Sequence, residues 1–201
     1  MKCNVIKVGG SLLDTNDLPQ KIDQLLKKLQ PACTVVVVGG GKAVRKIELN
    51  NANKNPLLEH WESLAIMTEN AIALMSHFQG ATIAITPFKK DLGLFFLDAH
   101  QYCKRDRKIN GEPYLPQTRD VRSDTVALRF AQDFDFSELY LLKSVNFPAS
   151  KNWEDACNKN YVDPFFYKLF NNKKHNPTIH TINLRSSQNL QPFYSGNKIC
   201  S

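Results

Sequence analysis

Val5-Ile-Lys-Val-Gly-Gly-Ser11 decides the reading of this chain, and Val35-Val-Val-Val-Gly-Gly-Gly41 repeats its outline. Each is a short β-branched run that stops at consecutive glycines and leads into an amphipathic segment. A continuous apolar run of that length marks a strand buried on both faces, as in a parallel sheet. Two such strands deliver a glycine turn and a helix start to the same sheet edge. Glycines there let the backbone approach a ligand closely, and the free N–H groups of a helix start attract anions. Lys7 stands on the first strand, just before its glycines, in reach of the same anion. The combination predicts a pocket that handles phosphate.

Outward from these turns, residues 17–30 carry Leu18, Ile22, Leu25, Leu26 and Leu29 at helical spacing, and Pro31 closes the segment. Residues 42–49 open a helix from the second turn, and the asparagine-rich stretch 50–56 reads as a loop. Residues 57–78 form the longest helical pattern, either a core helix or one shared with a second subunit. Residues 82–86 and 93–97 read as strands joined by a turn at 87–91. Residues 100–119 hold Lys104-Arg-Asp-Arg-Lys108, Asn110-Gly111, Pro113 and Pro116, which predicts a solvated loop. The alternative there is a basic flap over a substrate phosphate.

Further along, Ser123 is expected to N-cap a helix whose Val126, Ala127, Phe130 and Ala131 share a face. A strand follows at 138–142, then an irregular stretch at 146–161 with one short turn near 153–157. Asp163-Pro164 fits the cap and first position of a helix over 164–170. Strands close the chain at 178–183 and, on an edge, at 196–199. Alternating strands and helices predict a three-layer α/β/α sandwich around a mostly parallel sheet, as a single domain over residues 1–201.

Composition narrows the setting. No apolar run approaches membrane-spanning length, and the N-terminus enters a strand without the layout of a secretory signal, so a cytoplasmic location is expected. Cys3, Cys33, Cys103, Cys157 and Cys200 are scattered without a C-x-x-C pair, which argues against a disulfide framework or zinc site. The histidines show no metal-ligand spacing. The net charge of +7 reflects 26 Lys+Arg against 19 Asp+Glu. It is read either as solubility or as a basic field that draws in nucleotide or phosphorylated substrate. No interleaved basic-aromatic platform points to nucleic acid.

Familiar nucleotide motifs fail. A P-loop needs G-x-x-x-x-G-K-[ST], but Gly41-Lys42 is preceded at the required place by Val36 and followed by Ala43. A dinucleotide fingerprint needs a third glycine that Gly39-Gly40-Gly41 lacks. What remains resembles the amino acid kinase family, which includes aspartate, acetylglutamate, glutamate 5- and uridylate kinases. The resemblance spans essentially the whole chain. Its parts come in family order: Lys7-Val-Gly-Gly-Ser11, Gly39-Gly-Gly41, Ser123-Asp124-Thr125-x-Ala127 and Leu141-Leu142-Lys143.

That resemblance implies an ATP-dependent kinase working with Mg²⁺ and no protein-held metal, assembled as a homo-oligomer. Lys7 would neutralise the phosphoryl group in flight, and Asp124 would orient that lysine. Gly9, Gly10 and Ser11 would meet the ATP phosphates, with Lys143 and Ser144 bordering the nucleotide. Gly39, Gly40, Gly41 and Ser123 would hold the acceptor side. The family's aspartate-glycine nucleotide loop is replaced here by Lys143-Ser-Val-Asn-Phe-Pro148. A second catalytic lysine has three candidates, Lys143, Lys168 and Lys198.

Three local segments also resemble the small kinases of methanofuran synthesis: His60-Trp61 before Ala65-Ile66-Met67, Asp120-Val-x-Ser-Asp124, and Val162-Asp-Pro-Phe165. Those enzymes phosphorylate an aminomethyl-furan-methyl phosphate. On that resemblance His60 and Trp61 face the acceptor pocket, or else merely pack their helix. Asp163 borders the nucleotide loop, or merely caps its helix. Two rivals stay open: the same chemistry on a nucleoside monophosphate or carboxylate, and a non-catalytic ligand-binding or storage subunit.

Overall fold

The computed structural model describes residues 1–50, 55–85, 88–109, 115–172, 176–186 and 193–195. Its strands are β1 (Lys2–Val8), β2 (Ala32–Val38), β3 (Thr82–Ala84), β4 (Gly93–Leu97), β5 (Glu138–Lys143), β6 (Thr178–Asn183) and β7 (Phe193–Ser195). They form one sheet in the order β3-β4-β2-β1-β5-β6-β7. All pairings are parallel except that of β7 on β6. The helices are α1 (Leu18–Leu29), α2 (Gly41–Asn50), α3 (Pro56–Met75), α4 (Ala99–Ile109), α5 (Ser123–Asp133), α6 (Trp153–Asn158) and α7 (Pro164–Asn172).

β1 lies mid-sheet because its residues from Cys3 to Val8 are all buried. Alternation across the pleat sends Val5 and Lys7 to one face, and Ile6 and Val8 to the other. Ile6, Val8, Val36 and Val38 pack on Leu18, Ile22, Leu25 and Leu26 of α1. Each such aliphatic side chain contributes about 1.5–3 kcal/mol on burial. On the opposite face Val5, Val37 and Leu141 pack on Val126, Ala127 and Phe130 of α5, with Trp153 and Phe166 of α6 and α7 beyond. The result is the expected α/β/α sandwich. Lys7 ends an otherwise apolar row that faces α5.

Local chemistry sets the helix ends. Asn55 caps α3 by accepting from the Leu57 N–H at 3.0 Å. Lys27 and Lys28 close α1 in its last turn, where cations suit the helix dipole.

Four expectations need correction or placement. Residues 99–109 are helix α4 rather than a solvated loop. Asp98 Oδ1 accepts from the Gln101 N–H at 2.9 Å, and Ala99, Tyr102 and Cys103 are buried at helical spacing. That apolar stripe is short, so the charges from Lys104 onward conceal it. α6 is a helix where only a short turn near 153–157 was expected, capped by Asn152, which accepts from the Asp155 N–H at 2.7 Å. Arg122, and not Ser123, takes the N-cap position of α5. The edge strand expected at 196–199 falls outside the described residues, and the edge strand described is β7. Residues 51–54, Thr86, Pro87 and 110–114 also lie outside them.

Candidate active site

β1 and β2 pair with Val8 opposite Val38, so their glycine corners leave the sheet side by side. The Gly9 N–H donates to the Leu142 carbonyl at 2.8 Å, and the Gly39 N–H to the Val8 carbonyl at 2.9 Å. A Cβ on Gly10 would lie 2.2 Å from the Gly41 nitrogen, and one on Gly39 would lie 2.6 Å from the Gly10 nitrogen. The two corners are in backbone contact, and a side chain on either would wedge them apart. Gly41 also has φ +62°, the left-handed region that favours glycine.

Asn70 of α3 fastens the second corner: its Nδ2 donates to the carbonyls of Gly39 at 2.9 Å and Gly40 at 3.2 Å. The sequence reading missed it. Its only signal is an amide set beside the buried Met67, Ala71 and Leu74 of the same helix.

Behind the first corner lies a buried charge cluster. Lys7 Nζ is 2.9 Å from Asp124 Oδ1. Lys143 Nζ is 2.7 Å from the same oxygen and 2.9 Å from Oδ2. β1 and β5 bring the two lysines together, because Lys7 pairs with Leu141. Lys143 also donates to the Tyr161 carbonyl at 2.5 Å and lies 4.9 Å from the centre of that ring. Lys7, Asp124 and Lys143 are 4%, 6% and 8% exposed, so water screens none of these charges effectively.

The cluster shifts its own proton affinities. Burial alone would raise the Asp124 carboxyl, but Lys143 and Lys7 outweigh it and hold the group below the usual carboxylate range. Burial, reinforced by Lys7 and opposed by Asp124, lowers Lys143 to about 8. Burial and the neighbouring Asp124 raise Asp163 to about 6, against its bonds from Thr125. Of the three candidates for a second lysine, Lys143 is in the site. Lys168 is exposed over the Phe165 ring, and Lys198 is outside the described residues.

Lys7 and Lys143, with Asp124 behind them, form the floor of a cleft of about 310 Å³. Lys7, Gly9, Gly10, Ser11, Lys143 and Ser144 line it on the side of β1 and β5, where the Ser11 and Ser144 hydroxyls are 2.8 Å apart. Gly40, Gly41 and His60 line the far end, beside β2 and α3, and Ser123 lines it from the start of α5. Asp124 and Gly39 sit just behind the lining. Asp163 lies deeper, outside the lining, with its carboxylate on the Thr125 N–H (2.9 Å) and the Thr125 hydroxyl. His60 packs edge-on to Trp61 and bonds the Thr118 carbonyl through Nδ1 at 3.2 Å. Burial lowers its pKa, which favours the neutral ring.

The far end carries arginines that the sequence reading did not single out. Arg119 pairs with the buried Glu59, Arg122 pairs with Glu48 at 2.9 Å, and Arg45 of α2 stands exposed at the mouth. Arg119 lies at the end of the stretch read as loop or basic flap, whose first half is α4.

No family model and no curated sequence matches the chain. Solved structures do. The uridylate kinase from Archaeoglobus fulgidus superposes with a TM-score of 0.57 at 16% identity, covering 90% of this chain and 89% of that one. The UMP kinase from Bacillus anthracis gives 0.58 at 13% identity, over 93% and 89%. The UMP kinase from Ureaplasma parvum gives 0.56 at 16% identity, over 92% and 91%. The class defined is therefore an amino acid kinase-like α/β/α fold, and at such identities the likeness establishes the fold alone.

Proposed function

We propose that the chain is an ATP-dependent phosphotransferase acting on a small acceptor that already carries a phosphate. One observation carries the reading: two glycine corners in backbone contact and two buried lysines on one carboxylate open into a single cleft. Phosphoryl transfer needs positioning and charge neutralisation more than covalent chemistry, and lysine ammonium groups with glycine amides supply both. Lys7 and Lys143 would take up charge on the transferred group. Asp124 acts through those lysines and is a positioning residue. Gly9, Gly10, Ser11 and Ser144 form the nucleotide end, and Gly39, Gly40, Gly41, Ser123 and His60 the acceptor end.

Arg45, Arg119 and Arg122 support a phosphorylated acceptor, since guanidinium groups bind phosphate with paired N–H donors. Among the candidates, the three segments resembling methanofuran-pathway kinases nominate an aminomethyl-furan-methyl phosphate. The uridylate kinase neighbours nominate a nucleoside monophosphate.

The described residues offer no Mg²⁺ site of their own. Among the described residues no group of three or more His, Cys, Asp or Glu could hold a metal. Both oxygens of Asp124 are taken by lysines. In ATP chemistry that ion commonly rides on the nucleotide phosphates. The cytoplasmic location and homo-oligomeric assembly belong to the same proposal. Among the described residues no helix is long and apolar enough to cross a membrane.

The test is ATP turnover against a panel of phosphorylated and unphosphorylated small molecules, with Lys7→Ala alongside. Turnover on a phosphorylated acceptor that vanishes in a folded Lys7→Ala protein supports the reading. ATP binding without turnover on any member of the panel sinks it in favour of a binding subunit.

A further inference from the structure

Resting on that phosphotransfer reading, we propose that Tyr161 and Asp163 are positioning residues, forming a strut that holds the Lys143–Asp124 pair in register and keeps Lys143 charged. Lys143 ends a strand and Asp124 opens a helix in the neighbouring layer, so the packing of β5 on α5 alone fixes them only as well as two layers can slide. The segment between α6 and α7 touches both. The Tyr161 carbonyl accepts from Lys143 Nζ at 2.5 Å, beneath the ring that lies 4.9 Å away. Two residues on, the Asp163 carboxylate grips Thr125, the residue next to Asp124, through both its N–H at 2.9 Å and its hydroxyl.

The strut is itself anchored. Tyr161, Val162 and Asp163 are 6%, 2% and 5% exposed. The Tyr161 N–H donates to the Ala156 carbonyl of α6 at 2.8 Å, and the Phe166 N–H of α7 to the Asp163 carbonyl at 3.1 Å. A buried carboxylate whose hydrogen bonds go to an uncharged amide and hydroxyl is costly to keep. Retaining one beside the lysine cluster is what a functional constraint looks like.

Its charge also reaches Lys143. The groups facing Lys143 are Asp124 from α5, Lys7 from β1, and Tyr161 and Asp163 from the strut; of these, Asp163 is one of two anions that favour the charged amine. Cys157 of α6 meets the Asp163 carbonyl through Sγ at 3.8 Å, and Asp120 acts on that thiol from the loop before α5. Asp163, raised to about 6, is ionised at neutral pH and so supplies that field where Lys143 needs it.

The experiment is a lysine-Nζ NMR titration together with a kcat–pH profile, on the full chain and on Asp163→Asn and Asp163→Glu. Expected for Asp163→Asn are a kcat lower by about a hundredfold, little change in KM for ATP, and a Lys143 titration moved to lower pH. The alkaline limb of kcat should move with it, and Asp163→Glu should restore both toward the parent. A Lys143 titration that stays in place overturns the inference, whatever happens to Tm. Should Asp163→Asn fail to fold, Thr125→Val, which removes only the hydroxyl partner, is read by the same titration. The titration needs no turnover, so an inactive parent protein would refute the kinase reading while the strut was still decided.

Discussion

The two ends of the cleft use charge in opposite ways. At the floor, Lys7, Lys143 and Asp124 come from three different elements, are at most 8% exposed, and share one carboxylate between two cations. At the far end, Arg119 and Arg122 each have a carboxylate partner, and their side chains are 39% and 53% exposed. Charges at the floor act through low dielectric and cannot rearrange, which suits stabilising charge that develops during transfer. Arg45 and Arg122 at the far end are screened by water, which suits attracting and sorting an acceptor, while Arg119 is held in place by the buried Glu59. Chemistry at one end and selection at the other is the division this contrast proposes.

The sharpest way to break it is Lys7→Met, which keeps the bulk and removes the cation. A loss of turnover of about a thousandfold is expected, on the scale of removing one preorganised electrostatic group. Asp124 keeps Lys143, so the fold should survive, and calorimetry checks that. A variant with normal kcat would place the chemistry elsewhere. Next in size is Gly10→Ala. Its added carbon would meet the Gly41 nitrogen at 2.2 Å and must part the corners. We expect a stability cost of about 1–3 kcal/mol from overpacking and turnover lower by about a hundredfold from the displaced cradle. Thermal unfolding and a steady-state assay read the two effects separately.

The same contrast explains what was legible in the sequence. Part of the floor is local in its logic: β-branched runs ending in glycines and a lysine on an apolar strand, with Asp124 and Lys143 supplied only by the family resemblance. Each local pattern is one that a window of a few residues contains, and the fold places them together because parallel strands align their ends. The sandwich followed from the same alternation of strands and helices. The strut and the far end are not local. Asp163 was read either as bordering the nucleotide loop, by resemblance, or as the cap of its own helix, because Asp-Pro before an apolar run is that signal; only packing turns its carboxylate to Thr125. Arg45, Arg119 and Arg122 converge from α2 and from the segment before α5, and nothing in their flanking residues announces it. Asn70 likewise reads as one polar residue on a long helix until the glycine carbonyls are set against it. α4 was lost for a simpler reason: a run of charges outweighed a stripe of three buried residues.

Arg45→Ala sharpens the far end. Arg45 is exposed at the mouth, so its removal should leave Tm unchanged. If it binds an acceptor phosphate, KM for the acceptor rises about ten- to a hundredfold, the range of one charge-assisted contact. The KM for ATP and kcat should hardly move, since uniform binding energy alone is lost. A fall in kcat with KM intact would assign Arg45 to the floor and dissolve the division.

Proton concentration tests the contrast without any substitution, and with the smallest expected effect. Burial and Lys7 lower Lys143 to about 8, so its ammonium is lost as pH rises through that value. If the charged amine serves transfer, kcat falls about tenfold for each pH unit above the limb. Arginines stay charged throughout this range, so acceptor KM should remain level. An acceptor phosphate titrates near 6 and affects only the acid side. The same group gives stability the opposite slope. A lysine whose pKa drops on folding binds fewer protons folded than unfolded between about 8 and its ordinary value of 10.5, so its penalty eases as pH climbs through that window. Activity that declines while this lysine's stability penalty eases would separate the loss of a catalytic charge from unfolding. A parallel decline of both would return Lys143 to a structural role.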